Sequence, residues 1–187
     1  MLLTLLGLYA STVAAQAAFD VKPFGLMRGQ GQGGSRVHFG ASREVATKVL
    51  GQPTKKERVV DEIEGGFVDV VFYRTNKLYF KNNSLEGFEL SDNFLAYGKS
   101  PETAFRIGSK ISSTTQKPQP GAAIGGNYLL DGKPLVGFEV DAKRGKSRNV
   151  LYSLVAVSRL KYGDVYVDET ALELLFDANG KLILIAL

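Results

Sequence analysis

The sequence predicts an α+β fold in which a helix or helices pack on an antiparallel β-meander. Three observations lead there. Ser42 to Pro53 carries a full set of helix start and stop signals. From Glu57 the apolar period changes from helix-like to two, with hairpin-length connections as far as Leu90. Leu85-Glu86-Gly87-Phe88-Glu89-Leu90 then recurs in form as Leu135-Val136-Gly137-Phe138-Glu139-Val140, which raises two tandem degenerate units as the arrangement of the chain.

In chain order, Leu2 to Ala18 carries no charge and opens with a compact apolar run from Leu2 to Ala10. Ala15-Gln16-Ala17 is an A-x-A site, because signal peptidase accepts small side chains at the two alanine positions. Residues 1–17 therefore read as a cleavable secretory signal, although no Lys or Arg precedes the run. An uncleaved spanning helix wants about 20 apolar residues, and Thr4, Ser11, Thr12 and Gln16 interrupt this one.

Residues 18–36 read as a flexible linker, on the strength of the Gly/Gln/Ser tract from Gly29 to Ser35. The tract holds a formal G-x-G-x-x-G at Gly29, Gly31 and Gly34. A dinucleotide fingerprint needs a strand just before it and a helix just after. Phe24 to Arg28 reads as a poor strand, and Arg36 to Phe39 is no helix start.

Residues 37–100 make the expected helix-plus-meander unit. Ser42 can cap the first free amides, and Glu44 suits the positive end of the dipole. Val45 with Val49, and Ala46 with Leu50, give one apolar stripe. Gly51 can close the helix at positive φ, and Pro53 prevents resumption. Strands are expected over 57–63, 67–74, 78–81 and 85–90, with turns at Gly65-Gly66, Thr75-Asn76-Lys77 and Asn82-Asn83-Ser84. Loops this short force antiparallel neighbours.

Residues 101–187 are expected to form a second, more divergent α+β unit. Ser100-Pro101-Glu102 looks like a capped helix start with Pro at the first position, and Ile107-Gly108-Ser109 like another. Lys117 to Gly121 must be a loop. Strands resume over 135–140, over 150–161 and from Tyr166. Asp177-Ala178-Asn179-Gly180 reads as a hairpin turn between Leu172–Phe176 and Leu182–Ala186, with a helix over 168–176 as the rival.

The pattern of Ser42, Leu50, Gly51 and Pro53, followed by Tyr73, Leu78-Tyr79-Phe80, Leu85 and Phe88, resembles a group of small exported bacterial domains. These are the outer-membrane assembly lipoproteins of the SmpA/OmlA type and the related β-lactamase-inhibitor-protein fold. The resemblance covers about a third of the chain, Phe39 to Gly98, and implies a binding module of helices on a small antiparallel sheet. This sequence has neither the lipidation cysteine of the lipoproteins nor the disulfides of the inhibitor, since it contains no cysteine.

Composition narrows the chemistry further. Zero cysteine removes disulfides, Cys-ligated zinc, iron–sulfur clusters and thiol nucleophiles. Net charge is +4, with twelve basic against ten acidic residues up to Ser100 and eleven against nine after it. So even a surplus does not describe a nucleic-acid arm, and no nucleic-acid partner is expected. His38 is the only histidine and follows the glycine tract, without a G-x-S-x-G elbow anywhere, so no catalytic residue is assigned. Neither a metal nor a cofactor is expected from this set of side chains.

Asp164, Asp168 and Glu169 cluster in sequence and supply the basis for an enzymatic alternative, although solvated turn residues are the simpler explanation. The strongest charge feature is Lys143, Arg144, Lys146 and Arg148, four cations within six residues, read as an exposed loop tip that binds by charge. These expectations combine into an exported, non-enzymatic binding or assembly module, periplasmic or secreted. It has no transmembrane segment once the signal is removed, and its partner is a protein or an anionic envelope component. A proteinaceous enzyme inhibitor and a carboxylate-dependent hydrolase or lyase are the alternatives.

Overall fold

The computed structural model describes residues 18–29, 34–62, 65–113, 128–147, 150–162 and 165–187. The expected signal, the Gly/Gln positions 30–33, and the expected loop from Lys117 to Gly121 lie outside the described residues.

The chain enters through two short strands, β1 (Ala18–Asp20) and β2 (Gly25–Arg28), ahead of a single helix, α1 (Arg43–Leu50). The meander follows as β3 (Lys55–Val60), β4 (Phe67–Tyr73), β5 (Asn76–Lys81) and β6 (Ser84–Leu90). Each pairs antiparallel with the next. Asn82 and Asn83 both take positive φ, 50° and 64°, as a two-residue I′ turn requires. The chain then runs through β7 (Leu95–Gly98), β8 (Ile111–Ser113), β9 (Tyr128–Leu130) and β10 (Lys133–Pro134). It ends with β11 (Glu139–Asp141), β12 (Gly145–Ser147), β13 (Val150–Tyr152), β14 (Leu154–Tyr162), β15 (Val165–Phe176) and β16 (Leu182–Ala186).

Nine of these strands form one sheet in the order β1-β14-β15-β16-β6-β5-β4-β3, with β11 also paired to β14. All of its pairings are antiparallel except β1 on β14. The inner face contributes Tyr73, Leu78, Phe80, Phe88, Leu90, Leu174 and Ile185 to one large apolar cluster. Ala46 and Leu50 from α1, Leu26 from β2, Tyr97 from β7, and Leu135 and Phe138 close it from above. At one edge, β3 exposes all six residues, four of them charged, which discourages pairing with another chain.

The helix ends are as the sequence implies. The Ser42 hydroxyl accepts the Val45 N–H, and Gly51 donates its N–H to Thr47 O at φ 88°. The apolar stripe is narrower than expected, because Ala46 and Leu50 are buried while Val45 is 45% exposed.

Several expectations are corrected. The fold is mostly β rather than α+β, since α1 is the sole α-helix among the described residues and eight residues cannot cover a nine-stranded sheet. Ser100 to Thr103 forms one turn and stops. Phe105 then exchanges both backbone bonds with Tyr97, and Gly108 at φ 98° precludes a helix through Ile107-Gly108-Ser109. Ladder bonds to a strand already in place win over a weak helix start.

Residues 18–36 are not simply a linker. Val21, Phe24, Leu26 and Met27 are buried, and Leu26 exchanges backbone bonds with Val37 at 2.9 Å each way. Gly25 lowers the strand signal in sequence but is required there, since a Cβ would lie 2.8 Å from Arg36 Cβ. Residue 100 is likewise no break in the core. The last strand, β16, lies between β15 and β6, and one cluster holds Phe88 together with Phe138. The six-residue echo does not carry a shared backbone either. Gly87 is extended inside β6, whereas Gly137 turns at φ 88° before β11.

Candidate functional site

The cationic segment is built into a hairpin. Strands β11 and β14 pair in the main sheet, with Asp141 opposite Val155, and the chain between them leaves the sheet as the β12–β13 ladder. Lys146 stands opposite Leu151, and Gly145 opposite Tyr152. Strand alternation therefore gives the hairpin two unlike faces.

One face carries Tyr152, which packs on a small cluster of Val155, Leu175 and Leu184 on the outer side of the main sheet. Gly145 makes room for it, because a Cβ there would come within 2.8 Å of the Tyr152 hydroxyl. Ser153 anchors the base of the hairpin. Its N–H donates to Phe176 O at 2.8 Å and its hydroxyl to Asp177 O at 2.7 Å.

The other face carries Lys146 and Leu151, and Leu151 is 72% exposed. Arg144 and Lys146 are exposed, and among the described residues neither has a carboxylate within ion-pair distance. Lys143 reaches Asp141 at 3.7 Å, with both side chains more than half exposed, a contact of little strength in water. Between the hairpin and the β15–β16 turn lies an open groove of about 880 Å³, with Arg144, Lys146, Leu151, Tyr152 and Ala178 among its walls.

Of the four cations singled out from sequence, Lys146 lies on the first strand of a hairpin, and Lys143 and Arg144 in the connection that leads into it from β11. Arg148 lies outside the described residues. Leu151 and Tyr152 were not singled out. Their proximity depends on the β12–β13 register, and no hydrophobic pattern marks which residue a lysine will face. The Asp177–Gly180 turn is where sequence places it, and Asp177 Oδ1 closes it by accepting from Asn179 N and Lys181 N.

The other chemical candidates resolve differently. His38 Nδ1 donates to Phe24 O at 2.8 Å, which ties the ring to the chain leading into β2. Asp164 lies outside the described residues, as do the side chains of Asp168 and Glu169. Glu89 is the one buried carboxylate among the described residues. It faces Tyr79, whose hydroxyl donates at 2.5 Å, and Lys77 at 3.7 Å. Among the described residues no three His, Cys, Asp or Glu side chains come together as a metal site.

The aromatic residues of the meander divide by face. Tyr73, Phe80 and Phe88 are core, while Phe72 and Tyr79 lie half-buried on the outer face. Lys55 Nζ covers the Phe72 ring at 5.3 Å, so that ring is not presented bare. Phe67 is 54% exposed under the Arg58 guanidinium, 4.7 Å from its ring centre. No helix among the described residues is long and apolar enough to cross a membrane. No protein-family model, curated protein or solved structure matches the chain.

Proposed function

We propose that this chain is an exported binding or assembly module that acts by surface contact without turnover. Its contact surface is the outward face of the β12–β13 hairpin. The observation that carries this reading is the exposed Leu151 directly opposite Lys146, with Arg144 beside them and neither cation ion-paired among the described residues. An exposed leucine between unneutralised cations is matched to an amphiphile with an anionic headgroup. The cations attract the headgroup and the leucine gains by leaving water. Among the expected partners this favours an anionic envelope lipid over an acidic protein.

The Ala15-Gln16-Ala17 site supports a periplasmic or secreted location.

Vesicle co-sedimentation tests the reading. The mature chain is expected to sediment with phosphatidylglycerol-containing vesicles and not with pure phosphatidylcholine, and to be released as salt rises, because exposed charges are screened beyond about 8–10 Å. Replacing Lys143, Arg144, Lys146 and Arg148 together by Ser should abolish sedimentation and leave the melting curve in place. Equal sedimentation of the quadruple variant at low salt refutes the hairpin's role. If vesicles are ignored while a periplasmic protein is captured by the wild type and lost by the variant, the partner is a protein.

A further inference from the structure

The strand pairings gather several connections at one end of the main sheet. The β4–β5 turn, the segment after β6, the β15–β16 turn and the β12–β13 hairpin all leave from that end, because β4, β6 and β15 finish there and β14 starts there. The β3–β4 and β5–β6 turns lie at the opposite end. The order β14-β15-β16-β6-β5-β4 makes five strand spacings, about 24 Å at roughly 4.8 Å each.

Exposed cations recur along the end that carries the hairpin. Arg74, in the β4–β5 turn, places its guanidinium 4.6 Å from the centre of the Phe94 ring, and Arg28 covers the same ring at 5.7 Å. Lys181, at the close of the β15–β16 turn, pairs through its backbone with Lys110, and both side chains are exposed. Arg144 and Lys146 follow at the hairpin. Among the described residues none of these six has a carboxylate within ion-pair distance. Two acids of the same end are turned onto their own turns. Asp92 accepts from the Thr75 N–H and hydroxyl, Asn76 Nδ2 and the Phe94 N–H, and Asp177 from Asn179 and Lys181 N–H. At the opposite end Lys81 is paired with Asp61 at 2.8 Å, and Arg43, bonded to Asn83 of the β5–β6 turn, with Asp69 at 2.7 Å.

Arg74 is held in place at a cost. Its φ is 59°, and two-residue hairpin loops ordinarily put Gly, Asn or Asp at positive φ. An arginine kept in a conformation that disfavours it points to a use for its guanidinium. A row of cations about 24 Å long outreaches any small anion and matches a plane of charge. Its apolar members are Leu151, 72% exposed, and the half-buried Phe94 beside Arg28 and Arg74. They suit the boundary where lipid headgroups meet acyl chains. We propose that the protein docks end-on, standing on an anionic lipid surface with the strands of its main sheet upright. Arg28, Arg74, Lys110 and Lys181 then join Arg144 and Lys146 against the headgroups. This rests on the lipid reading of the hairpin and extends it from one hairpin to a whole end of the sheet.

The chain has no cysteine, so a single introduced one carries a unique fluorescent label. Asn93→Cys beside Phe94, and Glu86→Cys near the β5–β6 turn, put labels at exposed positions of the two ends. On phosphatidylglycerol-containing vesicles the label at position 93 should shift to the blue and lose access to aqueous acrylamide. The label at position 86 should be quenched as it is without vesicles. Separately, Arg74→Asn combined with Lys181→Gln should weaken vesicle partitioning about 25-fold, since each cation at such a surface is worth about fivefold. The melting temperature of this variant should not fall, because Asn tolerates positive φ and Lys181 closes its turn through the backbone N–H. Unchanged partitioning of the variant, or equal quenching of the two labels on bound protein, overturns end-on docking and leaves the hairpin reading in place. Wild-type protein that ignores the vesicles overturns both.

Discussion

Replacing Gly51 by Ala probes the junction between α1 and β3. Gly51 sits at φ 88° and ψ −171°, a combination outside the left-handed helical well and close to glycine-only territory. Holding an L-residue there costs about 1–3 kcal/mol. The new Cβ would also fall 2.2 Å from Arg28 Nη2. That guanidinium can swing away, but Arg28 Nε donates to Leu50 O at 3.0 Å, and losing this bond adds about 1 kcal/mol. The expected loss is therefore about 2–4 kcal/mol. With a urea slope of roughly 2 kcal/mol per molar, the unfolding midpoint should fall by about 1–2 M at unchanged slope. Gly51→Asn separates this from an ordinary helix stop. Asn tolerates the usual left-handed cap but gains nothing at ψ −171°, so it should lose about as much as Ala. A midpoint within about 0.3 M of wild type for the Ala variant, or full stability with Asn, would refute the reasoning.

Two further outcomes are expected. Phe138 is 1% exposed and meets Phe105 edge-on at 5.8 Å, so Phe138→Ala should cost about 3–5 kcal/mol. Because its cluster includes Phe88 and Leu78, hydrogen exchange at β5 should quicken by the same free energy as exchange at β15; protection of β5 alone would contradict a shared core. Glu44 is held at a pKa of about 2 by hydrogen bonds from the Ser42 and Asn83 side chains and its own backbone N–H. A depressed carboxylate pKa stabilises the fold above the ordinary value of 4.5, and the contribution is lost as pH falls towards 2. Glu44→Gln should therefore narrow the melting-temperature gap between pH 5.5 and pH 2.5, and an unchanged gap would contradict those contacts.

The helix and the meander were legible because their signals are local. Ser42, Gly51 and Pro53 bound the helix, and alternation with short polar turns sets β3 to β6. The second half was misread where two local signals disagreed with a distant partner. Ser100-Pro101-Glu102 starts a turn that any helix could use, yet Tyr97 is already in place to pair with Phe105. Val21, Phe24 and Leu26 looked like part of a linker because glycines surround them, and their burial depends on β7 and β14, far along the chain. At the candidate site the cations were readable as charge. Their pairing with Leu151 was not, since register across a hairpin is fixed by its turn and its packing.

The placement of β16 has a consequence for how the molecule comes into being. Strand β16 is an interior one, bonded on one side to β15 and on the other to β6. Leu187 exchanges backbone bonds with Phe88 at 2.8 and 3.0 Å, about a hundred positions earlier. Without β16 the meander has an open flank along β6. Contacts this distant in sequence make folding slow, and an incomplete sheet cannot close early around its own core. Until β16 is seated, the meander and the β14–β15 pair each keep an unpaired edge, so the two parts of the sheet reach full order together.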